Sequence, residues 1–275
     1  MNRSMDSDDR GYPSFFALLP KLIQMKNAMQ SVVIIPARYG SSRFPGKPLL
    51  PLLGKPMVLW VAELSARAVG AENVYVATED QRIADIVKGV GFQAVMTTDD
   101  ALTGTDRLAQ AAEQIDSDIY INVQGDEPLL DPSDILKIRD AKRANMDVII
   151  NGFCWIGVQE DPSSVNLPKV ITNERDEMVY MSRVALPGFK DAKCAPSRYK
   201  KQVCIYAFTR EELAAFRAFG RKSELERAED IEILRFLEFG KKVRMVETQS
   251  GSLAVDVPED VERVEQQLSW ERKNV

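Results

Sequence analysis

Ser31 to Pro48 reads SVVIIPARYGSSRFPGKP, and this stretch decides the fold. Its first six residues, Ser31 to Pro36, are a short β-branched run of the kind a parallel sheet buries on both faces. The loop that follows, from Ala37 to Pro48, sets Arg38, Arg43 and Lys47 among Gly40, Ser41, Ser42 and Gly46. Glycines let backbone N–H groups approach and point at a ligand. Arginine offers phosphate a planar fork and lysine a point charge. Three cations just beyond a buried strand therefore point to phosphate rather than to a solvated basic turn. The loop is neither GxxxxGK[ST] nor GxGxxG, which excludes a Walker loop and a dinucleotide fingerprint.

Outward from that strand, helical and extended patterns alternate. Pro56–Val69 is patterned as a helix, Asn73–Thr78 as a strand, Asp80–Gly91 as a helix with a glycine stop, and Ala94–Met96 as a short strand. Asp106–Asp116 follows as a helix, Ile119–Val123 as a strand and Pro132–Ala144 as a helix. Such alternation predicts right-handed βαβ units, hence an α/β fold with a mainly parallel sheet. Ligands bind beyond the carboxyl ends of such strands. The loops 37–48 and 124–128 both lie at that end and are expected to meet across one crevice.

The second half is more mixed. Val148–Val158, Lys169–Thr172, Met178–Met181, Gln202–Phe208, Lys242–Val246 and Leu253–Val255 are patterned as strands. Glu211–Phe219, Glu226–Phe239 and Pro258–Gln267 are patterned as helices. The organisation expected is an extension over residues 1–30, one domain over 31–268 with a smaller inserted lobe at about 155–250, and a tail at 269–275. The last strand and helix are expected to return to the main sheet.

The chain has 275 residues, 45% of them hydrophobic and 28% charged, enough for a substantial core. A net charge of −5 gives no overall attraction for nucleic acid or anionic membrane. Cys154, Cys194 and Cys204 show no paired spacing and read as reduced thiols of a cytoplasmic protein. No stretch is long and apolar enough to cross a bilayer. Phe15–Met25 comes nearest but holds Pro20 and Lys21, lacks the marks of a signal peptide, and reads as a poorly ordered extension, with an amphipathic membrane contact as the alternative. The absence of histidine removes the commonest general base and all imidazole metal ligands. A metal would need oxygen ligands, as magnesium, manganese or calcium do.

Two carboxylates fit that requirement. Asp126, in VQGDEP, follows the strand ending at Val123, where Gly125 permits a tight turn and Pro128 stops further pairing. Asp256, in LAVDVPED, follows the expected strand Leu253–Val255, although it equally suits the start of the last helix. Both with phosphate oxygens and waters would make an octahedral Mg2+ site.

Taken in order, PARYGSSRFPGKPL, VMTTDDALTGTDRLA, INVQGDEP and AVDVPEDVERV resemble the 3-deoxy-manno-octulosonate (Kdo) cytidylyltransferases, over roughly residues 31–268. The resemblance implies a Rossmann-like nucleotidyltransferase fold, magnesium dependence, a homodimer, and lipopolysaccharide biosynthesis. The reaction implied joins CTP and a Kdo-type sugar acid to give CMP-sugar and pyrophosphate. By matching positions, Arg38, Arg43 and Lys47 hold the triphosphate, with Ala37 and Ser42 beside them. Gly104, Thr105 and Arg107 line the nucleotide side; Gln124 and Asp126 face sugar and metal, and Asp256 completes the metal site. Gln202, Tyr206 and Glu232 are the implied sugar contacts, and Arg183, in VYMSR, is read separately as the partner of the sugar's carboxylate at the interlobe surface. The catalytic set is thus Arg38, Arg43, Lys47 and Asp126.

The sugar side departs from the family pattern. Gln202 stands where a histidine is usual, Ile233 replaces a glutamine after the retained Glu232, and Arg227 occupies another histidine position. Such changes alter how hydroxyls are read and suggest a modified sugar, with the 8-amino analogue of Kdo a natural candidate. Its ammonium would favour the acidic run Glu226, Glu229, Asp230 and Glu232. The alternatives are a synthetase for another sugar acid and a nucleotide-binding module without turnover.

Overall fold

The computed structural model describes residues 29–40, 44–158, 160–249, 253–255 and 257–274. The readings made on Phe15–Met25, Ser41, Ser42, Arg43 and Asp256 lie outside these residues.

Nine strands form one mixed sheet among the described residues. In chain order they are β1 (Ser31–Pro36), β2 (Val74–Thr78), β3 (Gln93–Met96), β4 (Ile119–Val123), β5 (Ile149–Trp155), β6 (Lys169–Thr172), β7 (Met178–Ser182), β8 (Lys200–Phe208) and β9 (Val243–Glu247). The helices are α1 (Met57–Val69), α2 (Gln81–Gly89), α3 (Gly104–Ala112), α4 (Pro132–Ala144), α5 (Arg210–Ala218), α6 (Glu224–Glu229), α7 (Leu234–Glu238) and α8 (Asp260–Asn274).

The order across the sheet is β9-β5-β8-β4-β1-β2-β3, with β6 and β7 continuing off β8. Strands β4, β1, β2 and β3 run parallel, β8 is antiparallel to both β4 and β5, and β9 is parallel to β5. The chain winds from β1 to β2 and β3, then crosses to the other side of β1 to lay down β4. The carboxyl ends of β1 and β4 therefore flank the switch point, where an α/β sheet opens a ligand crevice.

The period-2 pattern of β1 explains why it sits at the centre. Val33 and Ile35 face one cluster with Val58 and Val61 of α1, Ile83 of α2 and Ile135 of α4. Val32 and Ile34 face the other, with Leu108 of α3, Phe216 of α5 and Phe236 of α7. Helices cover both faces, so residue alternation along the strand still buries every position from Val32 to Pro36. Phe236 stacks on Phe208 and meets Phe216 at a tilt, at 5.4 and 4.7 Å between ring centroids, which fills the second layer. Starts are set by side chains: Asp80, Thr103 and Asp131 accept from backbone N–H groups of α2, α3 and α4, and Thr209 with Glu212 forms a capping box on α5.

Two expectations are corrected. The single helix expected over Glu226–Phe239 is two short helices, α6 and α7, separated at Asp230, which is left-handed with φ 51°. Arg183 explains the break. Its Nε donates to Glu229 O at 2.5 Å and its Nη2 to Asp230 O at 3.0 Å, taking carbonyls that a continuing helix would use. The second concerns Leu253–Val255, which forms no strand. Val255 is instead buried with Leu52, Met57, Val264 and Leu268, so α8 docks on the short hairpin around Leu52 and the start of α1 rather than on the main sheet.

Candidate active site

A cleft of about 400 Å3 opens at the ends of β1 and β4. On one wall stand Ala37, Arg38 and Lys47 from the loop after β1, with Asp126 from the loop after β4. Lys47 Nζ donates to Asp126 Oδ2 at 2.6 Å, so the cationic turn and the strand-end carboxylate meet, though 79 residues apart in the chain. Ala37 N donates to Ala77 O at 2.8 Å, which continues the β1–β2 ladder into the start of the loop. Gly46 closes its other end by donating N–H to Tyr39 O at 2.9 Å. Gly46 is left-handed, with φ 72°, and a Cβ there would stand 3.3 Å from the Tyr39 ring.

The nucleotide wall continues into the start of α3. Thr103, Gly104 and Arg107 line the cleft. Thr105 is buried behind the wall, and its backbone N–H donates to Glu232 Oε2 at 2.9 Å. Arg107 is nearly inaccessible; its Nη1 lies 2.8 Å from Glu79 Oε2 and 2.5 Å from the Thr97 hydroxyl.

Beside the start of α3 the cleft gathers Gln124, Gln202, Tyr206 and Glu232, with Arg183 just past the end of β7. Gln124 Nε2 donates to Glu232 Oε1 at 2.9 Å, so the two Glu232 oxygens are held by different elements. Burial raises the pKa of Glu232, against the opposing pull of the Thr105 N–H and neighbouring threonines. Gln202 Nε2 donates to Tyr206 OH and Asn151 Oδ1, each at 3.1 Å, which fixes the amide from beneath. Burial also raises the pKa of Tyr206, which keeps its hydroxyl protonated and a donor. Arg183 is clamped by the carbonyls of Val165, Glu229 and Asp230.

The acidic run divides by environment. Glu226 is locked onto buried Arg235 through two 2.7 Å contacts. Glu229 accepts from the Ser182 hydroxyl at 2.6 Å and from Arg183 N at 2.9 Å. Glu226, Asp230 and Glu232 all border the cleft, as does Lys222, whose Nζ is 3.3 Å from Asp230 Oδ1. Of the departures from the family pattern, Gln202 is at the cleft, Ile233 is in the core, and Arg227 is exposed away from the lining.

The cytidylyltransferase family profile matches residues 32–243. The chain belongs to the cytidylyltransferase family. Among relatives of this cytidylyltransferase, the 8-amino-3,8-dideoxy-manno-octulosonate cytidylyltransferase of Shewanella oneidensis is 39% identical over 249 residues, 88% of this chain and 99% of that protein. The 3-deoxy-manno-octulosonate cytidylyltransferase of Trichlorobacter lovleyi is 41% identical over 250 residues, covering 87% and 99%. The structure of a CMP:2-keto-3-deoxy-manno-octonic acid synthetase complexed with CTP superposes with a TM-score of 0.81 at 37% identity, covering 88% of this chain and 99% of the other.

Sequence reasoning missed Glu79 and Lys222, and it had Asp230 only as one of a run of acids on one continuous helix. Glu79 carries a positional signal, a carboxylate directly after the second parallel strand, masked by the helix-capping Asp80 beside it. Lys222 carries no such signal, because it meets Asp230 beside the break that Arg183 makes from another strand.

Proposed function

We propose that this cytidylyltransferase transfers CMP from CTP to the anomeric hydroxyl of a Kdo-type 3-deoxy sugar acid and releases pyrophosphate. One observation carries the reading: a single cleft at the switch point joins the cationic loop and Asp126 to the Gln124–Glu232 pair and the Gln202–Tyr206 pair. One half suits a triphosphate and the other a polyhydroxylated acid. The names of the relatives, which span both Kdo and its 8-amino analogue, support the same substrate class.

The chemistry is largely positioning and charge neutralisation. Arg38 and Lys47 neutralise the phosphate oxygens as pyrophosphate departs. Gln124 and Glu232, held rigidly by each other and by the Thr105 N–H, orient the sugar so that its hydroxyl meets the α-phosphorus in line. Gln202 and Tyr206 fix a second edge of the sugar, and the Arg183 guanidinium adds positive charge for its carboxylate.

A magnesium ion fits the donors present. Asp126 presents carboxylate oxygens to the cleft and already holds one cation, the Lys47 ammonium. Among the described residues no cluster of three His, Cys, Asp or Glu side chains gathers, so phosphate oxygens and waters would fill most positions, as magnesium accepts. Val255 N donates to Asp126 O at 3.0 Å, one residue before Asp256, the second carboxylate assigned to the ion. Bound there, magnesium would supply Lewis-acid polarisation of the phosphate and a lower pKa for the attacking hydroxyl. The reading extends to a homodimer working in the cytoplasm for lipopolysaccharide biosynthesis. Among the described residues no helix is long and apolar enough to cross a membrane.

A narrower substrate, the 8-amino sugar, is favoured by the position of Asp230. Its carboxylate lines the cleft beside the Lys222 ammonium, so the position already accommodates a cation next to an acid. The test uses the full chain with magnesium, each of the four nucleoside triphosphates, and Kdo or 8-amino-Kdo. Pyrophosphate release with CTP and either sugar is expected. Release with neither sugar refutes the function, and a clear preference for plain Kdo refutes the narrower reading.

A further inference from the structure

Two cationic parts of the nucleotide wall come from separate elements: the loop after β1, carrying Arg38 and Lys47, and α3, carrying Arg107. One carboxylate lies between them. Glu79, directly after β2, accepts the Tyr39 N–H on Oε1 at 2.9 Å. Its Oε2 faces Arg107 Nη1 at 2.8 Å, and both side chains are largely shielded, at 18% and 4% exposure.

The Tyr39 amide is a strategic point to hold. Its carbonyl receives the Gly46 N–H, so the peptide groups of Tyr39 join the described start of the loop to its end. The Tyr39 ring is also fixed, between the Arg82 guanidinium at 3.5 Å and the backbone of Gly46. Arg107 needs a counter-charge. Burial lowers its pKa, Glu79 opposes that fall, and the nearby charge of Arg38 adds to it. The Glu79–Arg107 contact is an ion pair without an in-line hydrogen bond at Oε2, so charge more than bond geometry holds it.

We propose that Glu79 is a positioning residue that fixes the spacing between the loop after β1 and Arg107, so that a triphosphate meets cations already set apart at the correct distance. The assignment rests on the cytidyl-transfer reading of the cleft. Glu79 stays behind the wall, and it acts through Tyr39 and Arg107. A preset array spares CTP the ordering of two elements on binding, which lowers its apparent Kd and KM without involving the sugar half.

The test compares the parent with E79Q and E79D, varying CTP at saturating sugar and then sugar at saturating CTP. Loss of one charged, shielded partner is expected to raise KM for CTP by about 10-fold or more in E79Q, with KM for the sugar within about twofold. E79D keeps the charge but is one methylene too short to reach both Tyr39 N and Arg107, so its CTP affinity is expected to fall between those of E79Q and the parent. Calorimetric titration with CTP alone reads the same shift without turnover, so a parent that binds CTP but makes no CMP-sugar refutes the transfer reading and leaves this one measurable. An E79Q protein with unchanged CTP affinity, or one in which both KM values rise together, overturns the proposal. If E79Q does not fold, E79D binding CTP as tightly as the parent overturns it equally.

Discussion

Replacing Arg235 with methionine is expected to remove a large part of the folding free energy. The Arg235 side chain is fully inaccessible and serves two carboxylates at once. Its Nε and Nη2 each reach Glu226 at 2.7 Å, and its Nη1 and Nη2 reach Asp106 at 2.8 and 3.0 Å. The guanidinium also lies 3.7 Å from the Phe216 ring centroid. Methionine fills comparable volume but leaves two carboxylates in the interior without a counter-charge. Breaking a buried pair in this way costs about 3–5 kcal/mol, against a total stability of roughly 5–15 kcal/mol for a native protein. In urea, with m of about 2–3 kcal/mol/M for a chain this long, the midpoint is expected to fall by more than about 1 M. The triple variant R235M/D106N/E226Q removes the stranded charges and is expected to recover much of that loss. A midpoint for R235M close to that of the parent, at unchanged m, would refute the reasoning. So would a triple variant weaker than the single one, because the loss would then be packing rather than charge. Asp106 lies beside Thr105 and Arg107 on α3, while Glu226 leads into the bend at Asp230, so this network also locks the two halves of the cleft together.

Other outcomes follow from the same geometry. In Gly104→Ala the new Cβ would lie 2.9 Å from Gln124 Nε2, pushing that amide off Glu232. KM for the sugar is expected to rise about 3- to 10-fold in steady-state assays. Glu232→Gln tests the raised pKa. A carboxyl whose folded pKa lies above its ordinary 4.5 contributes stability at low pH and loses it as pH rises through the folded value. The stability of E232Q relative to the parent is therefore expected to improve between pH 4 and pH 8 in chemical unfolding, while sugar turnover falls. The thiols should react unequally with a disulfide reagent. Cys194 is exposed and labels first, whereas Cys154, pushed up to about 11 by burial, stays unlabelled until the protein unfolds.

Several elements were fixed by local pattern alone. The buried strands Ser31–Pro36 and Ile119–Val123 and the helix Pro132–Ala144 carry their boundaries in β-branched runs, a proline at the helix start and capping side chains, all of which act within a few residues. The cationic loop and Asp126 were legible for the same reason: the strand-end rule for parallel sheets places both at one crevice, and Lys47 does reach Asp126. Helix periodicity across Glu226–Phe239 was equally plain, yet the helix breaks. The interactions that break it come from Arg183, 46 residues away from Glu229, and no local pattern encodes them. The fate of the four acids in that segment was likewise tertiary. Arg235 claims Glu226 although it borders the cleft, Ser182 and Arg183 claim Glu229, and only the fold leaves Asp230 and Glu232 facing the cleft. Residue type and spacing set which chemistry the chain can offer; the long-range pairing of buried charges and backbone carbonyls decided which of those groups a substrate can meet.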